Sequence, residues 1–308
     1  MITLSIVIPA YNEQEVISHS LREIANVLSG TAEIYEIIVV NDGSTDKTAD
    51  EVINLARDIP QIRLINSNRN YGHSEALAIG MKQSRGKLVL TMDSDMQHPP
   101  KLIQKMLQTI RNKPEIDVVQ GLRESRDSDP FLKKFAAKSF YSLMSSLTNL
   151  QIIPNASDFR LMNSKTVKLI NELPERKKTL RFLIPYLGLK ISVVKFKDEK
   201  RFAGKSKYSW KKMISFGLSS VISFSAKPLY LVAIVGLFAA VSLVVMAVVT
   251  LFVWLYAKTI PGWTSLVLFI LSSNAVILSS LGILGLYIGR IYETSLGRPS
   301  SLWTEHKN

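Results

Sequence analysis

The stretch LSIVIPAYNE, residues 4–13, carries the pattern that decides the fold: an apolar run of strand length, followed at once by polar residues. Further apolar runs alternate with segments in which apolar residues recur at helical spacing, and these runs lie at residues 36–40, 63–66, 88–92, 117–120 and 191–196. Strands that are apolar on both faces and separated by crossover helices are typical of a mostly parallel sheet. We therefore predict a Rossmann-like α/β domain whose last strand is Ile191–Phe196.

Three polar clusters follow predicted strands, at residues 11–13, 41–43 and 93–95. Ligands of open α/β sheets bind at the carboxyl ends of the strands, so these clusters predict a site. Asp93 and Asp95 can hold a hard divalent cation together with substrate phosphates, and Gln97 adds a neutral oxygen. Asp42 suits a hydrogen bond to a base or ribose, although Asn-Asp-Gly-Ser is also an ordinary turn sequence.

Several other kinds of site are excluded by the sequence. The chain has no cysteine, which excludes thiolate metal sites, catalytic thiols and disulfides. No Gly-x-Gly occurs, so the dinucleotide-binding fingerprint is missing, and the glycines Gly80 and Gly86 have the wrong spacing for a P-loop. His73 and His98 are interpreted as loop residues, because no histidine cluster has the spacing of metal ligands.

The C-terminal third has a different composition. No charged residue occurs between Lys227 and Lys258, and none again before Arg290. Each gap exceeds the ~20 apolar residues that a spanning helix needs. We predict two transmembrane helices, at about 229–256 and 265–288 within a segment 228–290, joined by a turn at Pro261-Gly262.

The basic residues predict the orientation of this hairpin. They are concentrated before and after it, whereas the turn contains only Lys258, so the positive-inside rule puts the catalytic domain (1–206), the tail (291–308) and both termini in the cytoplasm. Residues 207–227 are predicted to form an amphipathic helix on anionic lipid, or alternatively a soluble helix packed on the catalytic domain. The net charge of +13 is attributed to lipid and phosphorylated substrates; a nucleic-acid partner is not expected.

Five motifs, in order, carry a family resemblance. SIVIPAYNE (5–13), VNDGSTD (40–46) and DSDMQHPP (93–100) resemble the inverting GT-A glycosyltransferases of family 2. SDFRLM (157–162), RFAGKSK (201–207) and the hairpin ending in GLYIGR (285–290) are similar to the polyprenyl-phosphate members, which include bactoprenol glucosyltransferases and dolichol-phosphate mannose synthases. Two departures are Ser157, where the family often has Gly, and Tyr71-Gly72-His73, where it often has Phe-Gly-Lys.

The resemblance implies a role for each matching position. The nucleotide would be held by Pro9, Tyr11, Glu13, Asp42 and Asp93. Mg²⁺ or Mn²⁺ and the diphosphate would be held by Asp93, Asp95 and Gln97, and phosphates by Arg123, Arg126, Arg160, Arg201 and Lys205. Asp158 would be the catalytic base, or it would orient Arg160; a purely structural Asp158–Arg160 pair is the remaining alternative.

The expected reaction is an inverting, metal-dependent transfer of a hexose from a nucleotide sugar to polyprenyl (undecaprenyl) phosphate at the cytoplasmic leaflet of the cell membrane. A UDP-sugar such as UDP-glucose or UDP-GlcNAc is favoured, and the β-linked product would serve cell-envelope glycan modification. The alternatives are a GDP-mannose-using mannosyltransferase and a catalytically silent, membrane-bound nucleotide-binding scaffold. A processive synthase is disfavoured because the chain has no Arg-Trp pair. Homo-oligomerisation is left open.

Overall fold

The computed structural model describes residues 1–124, 145–146, 148, 150–175, 178–197, 221, 225–256, 262–297 and 301–306. The chain divides into two compact units. The first, here called the sheet unit, comprises residues 1–142, 150–207 and 298–308. The second, the helical unit, comprises residues 143–149 and 208–297.

The sheet unit alternates strands and helices. Its strands are β1 (Leu4–Ala10), β2 (Tyr35–Asn41), β3 (Ile62–Ser67), β4 (Leu88–Thr91), β5 (Val118–Arg123), β6 (Ala156–Asn163), β7 (Ile191–Phe196) and β8 (Trp303–His306). Its helices are α1 (Ile17–Ser29), α2 (Thr48–Asp58), α3 (His73–Gln83), α4 (Leu102–Asn112), α5 (Ser164–Glu172) and α6 (Leu180–Tyr186). The prediction of an α/β domain with a mostly parallel sheet is confirmed.

The strand order is β7-β5-β6-β4-β1-β2-β3-β8. The central strands β4, β1, β2 and β3 run parallel, and β6 runs antiparallel between β4 and β5. Because β6 is reversed, its first residues lie at the edge where β1, β2 and β4 end. This reversal brings the Asp158 region to the carboxyl ends of the parallel strands.

The core explains why the central strands read as continuous apolar runs. Every residue of β1 is buried, because helices cover both faces of the sheet. On α1 the buried residues Ile17, Leu21, Ile24 and Leu28 recur every three or four positions, which is one face of a helix. Gly80 permits α3 to approach β1 closely, since a Cβ there would lie 2.2 Å from a methyl carbon of Val7.

The prediction that no strand lies beyond Phe196 is wrong. β8 pairs antiparallel with β3, with Ser67 opposite Trp303 and Leu64 opposite His306. Arg63 donates from Nε to Glu305 at 2.8 Å and from a terminal nitrogen to Glu36 at 2.5 Å. A four-residue strand has no apolar run to reveal it; it is held by this ion pair and by Trp303, which packs on a small buried cluster.

The helical unit contains α7 (Lys227–Tyr256) and α8 (Trp263–Ser295). The second helix is longer than predicted and continues beyond residue 288. Where side chains are described, one segment, Ser272–Ser295, is long and apolar enough to cross a membrane. The two-helix transmembrane hairpin stays a prediction, and the amphipathic helix predicted at 207–227 lies almost wholly outside the described residues.

Candidate active site

The loops after β1 and β2 are tied to each other by hydrogen bonds. Asn12 has a left-handed backbone (φ 53°), its N–H donates to Ser44 Oγ at 3.0 Å, and its Oδ1 accepts from Thr45 N at 2.9 Å. Glu13 N donates to Thr48 Oγ1 at 2.9 Å. These contacts fix the backbone that carries Pro9, Tyr11 and Glu13 at the end of β1.

Asp42 fixes a third loop, which precedes α3. Its two carboxylate oxygens accept from Tyr71 N and Gly72 N, both at 2.8 Å. Burial raises the pKa of Asp42, although the two backbone donors and His73 oppose this shift. Gly43 (φ 67°) permits the close approach, since a Cβ there would lie 2.4 Å from the Arg69 carbonyl carbon. The sequence did not reveal this contact; binding of a nucleotide by Asp42 stays a prediction.

The Asp-x-Asp turn directly follows β4. Asp95 Oδ1 accepts from Gln97 N at 3.1 Å, and Met96 between them has a left-handed backbone (φ 62°). Asp93 Oδ1 is buried and has no hydrogen-bond partner among the described residues. A buried carboxylate oxygen without a partner is costly unless something else pairs with it. The turn therefore presents, at the carboxyl end of the sheet, a carboxylate oxygen that accepts no hydrogen bond from the described residues and has His73 Nε2 3.6 Å away.

The donor set fits a hard divalent cation bound jointly with a ligand. Within the described ranges, no group of three or more His, Cys, Asp or Glu side chains could hold a metal ion alone. Two carboxylates that leave the remaining coordination positions to phosphate oxygens and water are a normal arrangement for Mg²⁺. Asp93, with its unpartnered oxygen, and Asp95 meet that description.

Asp158 lies at the start of β6 between two cations. Its Oδ1 is 2.5 Å from an Arg160 guanidinium nitrogen, and its Oδ2 is 3.2 Å from His73 Nε2. Thr91 Oγ1 donates to the Asp158 carbonyl at 2.7 Å, so β4 also fixes this residue. Burial favours the neutral acid, but Arg160 and His73 more than offset it and hold the pKa of Asp158 well below its usual range.

Arg160 and His73 belong to the same network. Arg160 is fully buried and donates from Nε to Gln120 Oε1 at 2.7 Å, and direct binding of a phosphate by Arg160 stays a prediction. His73 Nε2 is also 3.6 Å from Asp93 Oδ1. Burial lowers the pKa of His73, but Asp158 and Asp93 overcome this and raise it to about 9. His73 is thus a cation that links the two acidic residues at neutral pH.

Neither His98 nor His73 is revealed as a site residue by the sequence pattern, which indicates only loop positions. His98 is fully buried, stacks on Phe159 with ring centroids 5.1 Å apart, and accepts from Asp93 N at Nδ1 (3.0 Å). Burial lowers its pKa; Asp93 opposes that shift and Arg123 adds to it. The neutral ring therefore carries its proton on Nε2, 3.6 Å from Asp93 Oδ2. Its position five residues after Asp93 was the available signal.

Comparison with known proteins identifies the family. The sequence model described as "Glycosyl transferase family 2" matches residues 5–169, which is more than half of the chain. The chain belongs to glycosyltransferase family 2. The matched range contains β1 to β4 and every acidic site residue described above.

Full-length relatives agree with this assignment. An uncharacterized glycosyltransferase of Synechocystis sp. is 38% identical, over 98% of this chain and 96% of the relative. A bactoprenol glucosyl transferase of Shigella phage SfV is 32% identical, over 99% of both chains. Glucosyl-3-phosphoglycerate synthase from Mycobacterium tuberculosis has a similar fold, with a TM-score of 0.54 over 73% of this chain and 80% of that chain at 19% identity.

The remaining site residues of this family 2 glycosyltransferase are divided between the described and the undescribed parts of the chain. Arg123 ends β5, half-buried, near enough to His98 to influence its pKa. Arg126, Arg201 and Lys205 lie outside the described residues. The structure thus brings together Asp42, Asp93, Asp95, Gln97, Asp158 and Arg160, with His73 and His98 added.

Proposed function

We propose that this glycosyltransferase transfers a hexose from a nucleotide sugar to polyprenyl phosphate. The observation that carries the proposal is the cluster at the carboxyl ends of β1, β2 and β4, where an Asp93 oxygen that accepts no hydrogen bond from the described residues lies 3.6 Å from His73 of the His73–Asp158–Arg160 network. The acceptor is inferred from the bactoprenol glucosyl transferase relative, whose alignment extends through the C-terminal helices.

Asp93, Asp95 and Gln97 are proposed to hold Mg²⁺ or Mn²⁺. Such an ion, when bound, would stabilise the charge of the departing nucleoside diphosphate as a Lewis acid. The M. tuberculosis structure contains Mn²⁺, UDP and glucosyl-3-phosphoglycerate, and its fold is similar to this one. His98 keeps the Asp93 backbone in place through the hydrogen bond that its Nδ1 accepts.

Asp158 is proposed to position cations rather than to accept a proton. A general base works best when its pKa is near the working pH, and the pKa of Asp158 is held well below that range. Polyprenyl phosphate is already an anionic nucleophile, so position and charge neutralisation matter more than a strong base. Asp158 instead fixes Arg160 and His73 where negative charge collects.

The proposed stereochemistry and donor follow from the family resemblance. Direct displacement on an α-linked donor would give a β-linked lipid phosphosugar. Pro9, Tyr11, Glu13 and Asp42 are proposed to hold the nucleotide, with UDP favoured over GDP. GDP-mannose remains the second candidate because Tyr71-Gly72-His73 departs from the usual family sequence beside the site.

The hairpin is proposed to anchor the enzyme with both ends in the cytoplasm. Support comes from β8, which pairs with β3 although the two helices separate them in sequence. Residues on either side of α7 and α8 therefore share one compartment, and the intervening chain must cross the bilayer an even number of times. If the apolar segment of α8 crosses the bilayer, a second crossing is needed, and α7 is proposed to supply it.

The absence of native cysteine makes this topology easy to test. Lys258→Cys, in the predicted turn, should react with an impermeant maleimide added to intact cells. His306→Cys, on β8, should react only after the cells are permeabilised. Labelling of both from outside, or of neither, would overturn the hairpin.

The reaction itself is tested with purified enzyme in undecaprenyl phosphate-containing vesicles. A panel of UDP-glucose, UDP-GlcNAc and GDP-mannose should yield one labelled lipid phosphosugar. Wild-type protein that transfers from none of them would favour the silent scaffold.

A further inference from the structure

The residues that follow α8 contact the loop before α3. Asn68 N donates to Leu302 O at 3.1 Å, and Leu302 N donates to the Tyr71 hydroxyl at 3.2 Å. Ser301 Oγ donates to Glu75 Oε1 at 2.9 Å, and Glu75 lies in the first turn of α3. The segment that leads into β8 therefore holds this loop at two points and the first turn of α3 at a third.

The same loop is held from the opposite side and ends at the acidic cluster. Asp42 accepts from Tyr71 N and Gly72 N. Gly72 has a φ of 97°, a backbone conformation that few other residues adopt, so the loop follows one restricted path. The next residue is His73, which is 3.2 Å from Asp158 and 3.6 Å from Asp93.

The position of this loop therefore determines where His73 lies in the site. A small shift of the loop would lengthen both His73 contacts. The negative charges of Asp93 and Asp158 would then be compensated less by His73. Arg63 and Trp303 keep β8 on the edge of the sheet, so Ser301 and Leu302 are fixed relative to β3. β8 is in this sense the support of the loop.

We propose that Ser301 and Leu302 are positioning residues for the active site, acting through Glu75 and Tyr71 on the loop that ends at His73. This inference rests on the proposed function, because it takes the His73 cluster as the place where the donor diphosphate binds. The C-terminal segment is then a working part of the catalytic unit rather than a tail.

The test uses the full-length enzyme and four variants. Ser301→Ala removes the hydroxyl that binds Glu75, and Tyr71→Phe removes the acceptor of Leu302 N. Thr304→Ala is the matched control, because it removes an exposed hydroxyl from β8, the strand that begins just after Leu302. Ser301→Thr restores a hydroxyl and should rescue the first variant. The readouts are the Kd of UDP in the presence of Mn²⁺ and hydrogen exchange of the peptide that contains residues 68–76.

Ser301→Ala and Tyr71→Phe should each weaken UDP binding about three- to tenfold, the range expected for one lost hydrogen bond. Both should also accelerate exchange at Tyr71 and Gly72, while Thr304→Ala and Ser301→Thr stay near wild type.

Unchanged UDP affinity and exchange in both variants would overturn the inference. So would an equal loss in Thr304→Ala, which would indicate general destabilisation. Wild-type enzyme that binds neither UDP nor GDP would instead overturn the proposed function, which keeps the two failures apart.

Discussion

The two units of this enzyme place their apolar residues in opposite ways. In the sheet unit the large apolar residues of the central strands, such as Ile6 and Ile8, are fully buried. In the helical unit Leu237 and Phe238 are 66% and 72% exposed. Such a continuous exposed apolar surface is unusual for a folded protein in water, which supports the proposal that the helical unit lies in lipid.

The distribution of charge differs in the same way. The sheet unit gathers acidic groups at one edge: Asp158 pairs with Arg160 and His73, Asp42 accepts from backbone donors, and one Asp93 oxygen accepts no hydrogen bond from the described residues. The helices α7 and α8 have no charged residue between Lys227 and Arg290, apart from Lys258 in the predicted turn. Ionisable groups inside a membrane usually mark a transport pathway, so this charge distribution agrees with the proposal that the first unit carries the chemistry and the second anchors the enzyme.

The largest effect expected from this division is at Asp95. Asp95→Asn should lower transfer about 10²–10³-fold, comparable to the loss of a main electrostatic stabiliser of a transition state. Activity should vanish in EDTA and return with Mg²⁺ or Mn²⁺, as measured by transfer of labelled sugar to lipid. Asp50→Asn, at an exposed position of α2, is the control. Full turnover in chelator would remove the metal from the proposal.

A lysine introduced on the exposed surface of each unit tests whether that surface faces water or lipid. Phe238→Lys should cost about 2.5–3.5 kcal/mol of insertion free energy if α7 is in lipid. Ile34→Lys, at a residue 59% exposed in the sheet unit, should change stability by no more than about 0.5 kcal/mol. The measurement is the fraction of protein that resists alkaline extraction from membranes. Equal behaviour of the two variants would mean that both surfaces face water.

The parts predicted from sequence are those that local pattern specifies. β1, β2 and β4 are buried on both faces, and their apolar runs identified them, although β4 ends at Thr91 instead of Met92. The carboxylates of the Asp-x-Asp turn were found because strand ends of parallel sheets meet at one edge. Both results depend only on residues adjacent in sequence.

The parts that were missed depend on distant pairing. His73 and Asp158 are 85 residues apart, and they meet because β6 runs antiparallel to β4, with Thr91 opposite Arg160. β8 joins a sheet whose other strands end before the helices, and Arg63 and Glu305 are 242 residues apart. A chain truncated near Ser225 would therefore lose an edge strand of the sheet and the contacts of Leu302 with the Tyr71 loop.

Asp158→Asn separates a positioning role from a base. Since its pKa lies well below the usual range, Asp158 is ionised throughout pH 6–8.5. The loss of turnover, about 10–100-fold, should therefore be the same across that range, and the pH–rate profile should run parallel to wild type. Arg160→Lys is the companion variant, since it keeps the charge but loses the planar guanidinium that donates to Gln120 and Asp158 from separate nitrogens. If Asp158 were the base, the defect would shrink as pH rises through the second phosphate pKa near ~6, because less acceptor would then need deprotonation.

The smallest effect concerns the stability contributed by His73 in metal-free protein. Its pKa rises from 6.5 in the unfolded chain to about 9 in the folded chain, so the folded state binds its proton more tightly. That contribution is complete below pH 6.5 and is lost as pH rises through about 9. The His73 side chain is 44% exposed, and solvent screening should limit the gain to less than about 1 kcal/mol.

We therefore expect urea unfolding in EDTA to find wild type more stable than His73→Gln at pH 6, with the difference shrinking toward pH 9.5. His306→Gln, exposed on β8, is the control for histidine loss. A difference that grows with pH would show that His73 is held neutral, and the cationic link between Asp93 and Asp158 would have to be abandoned.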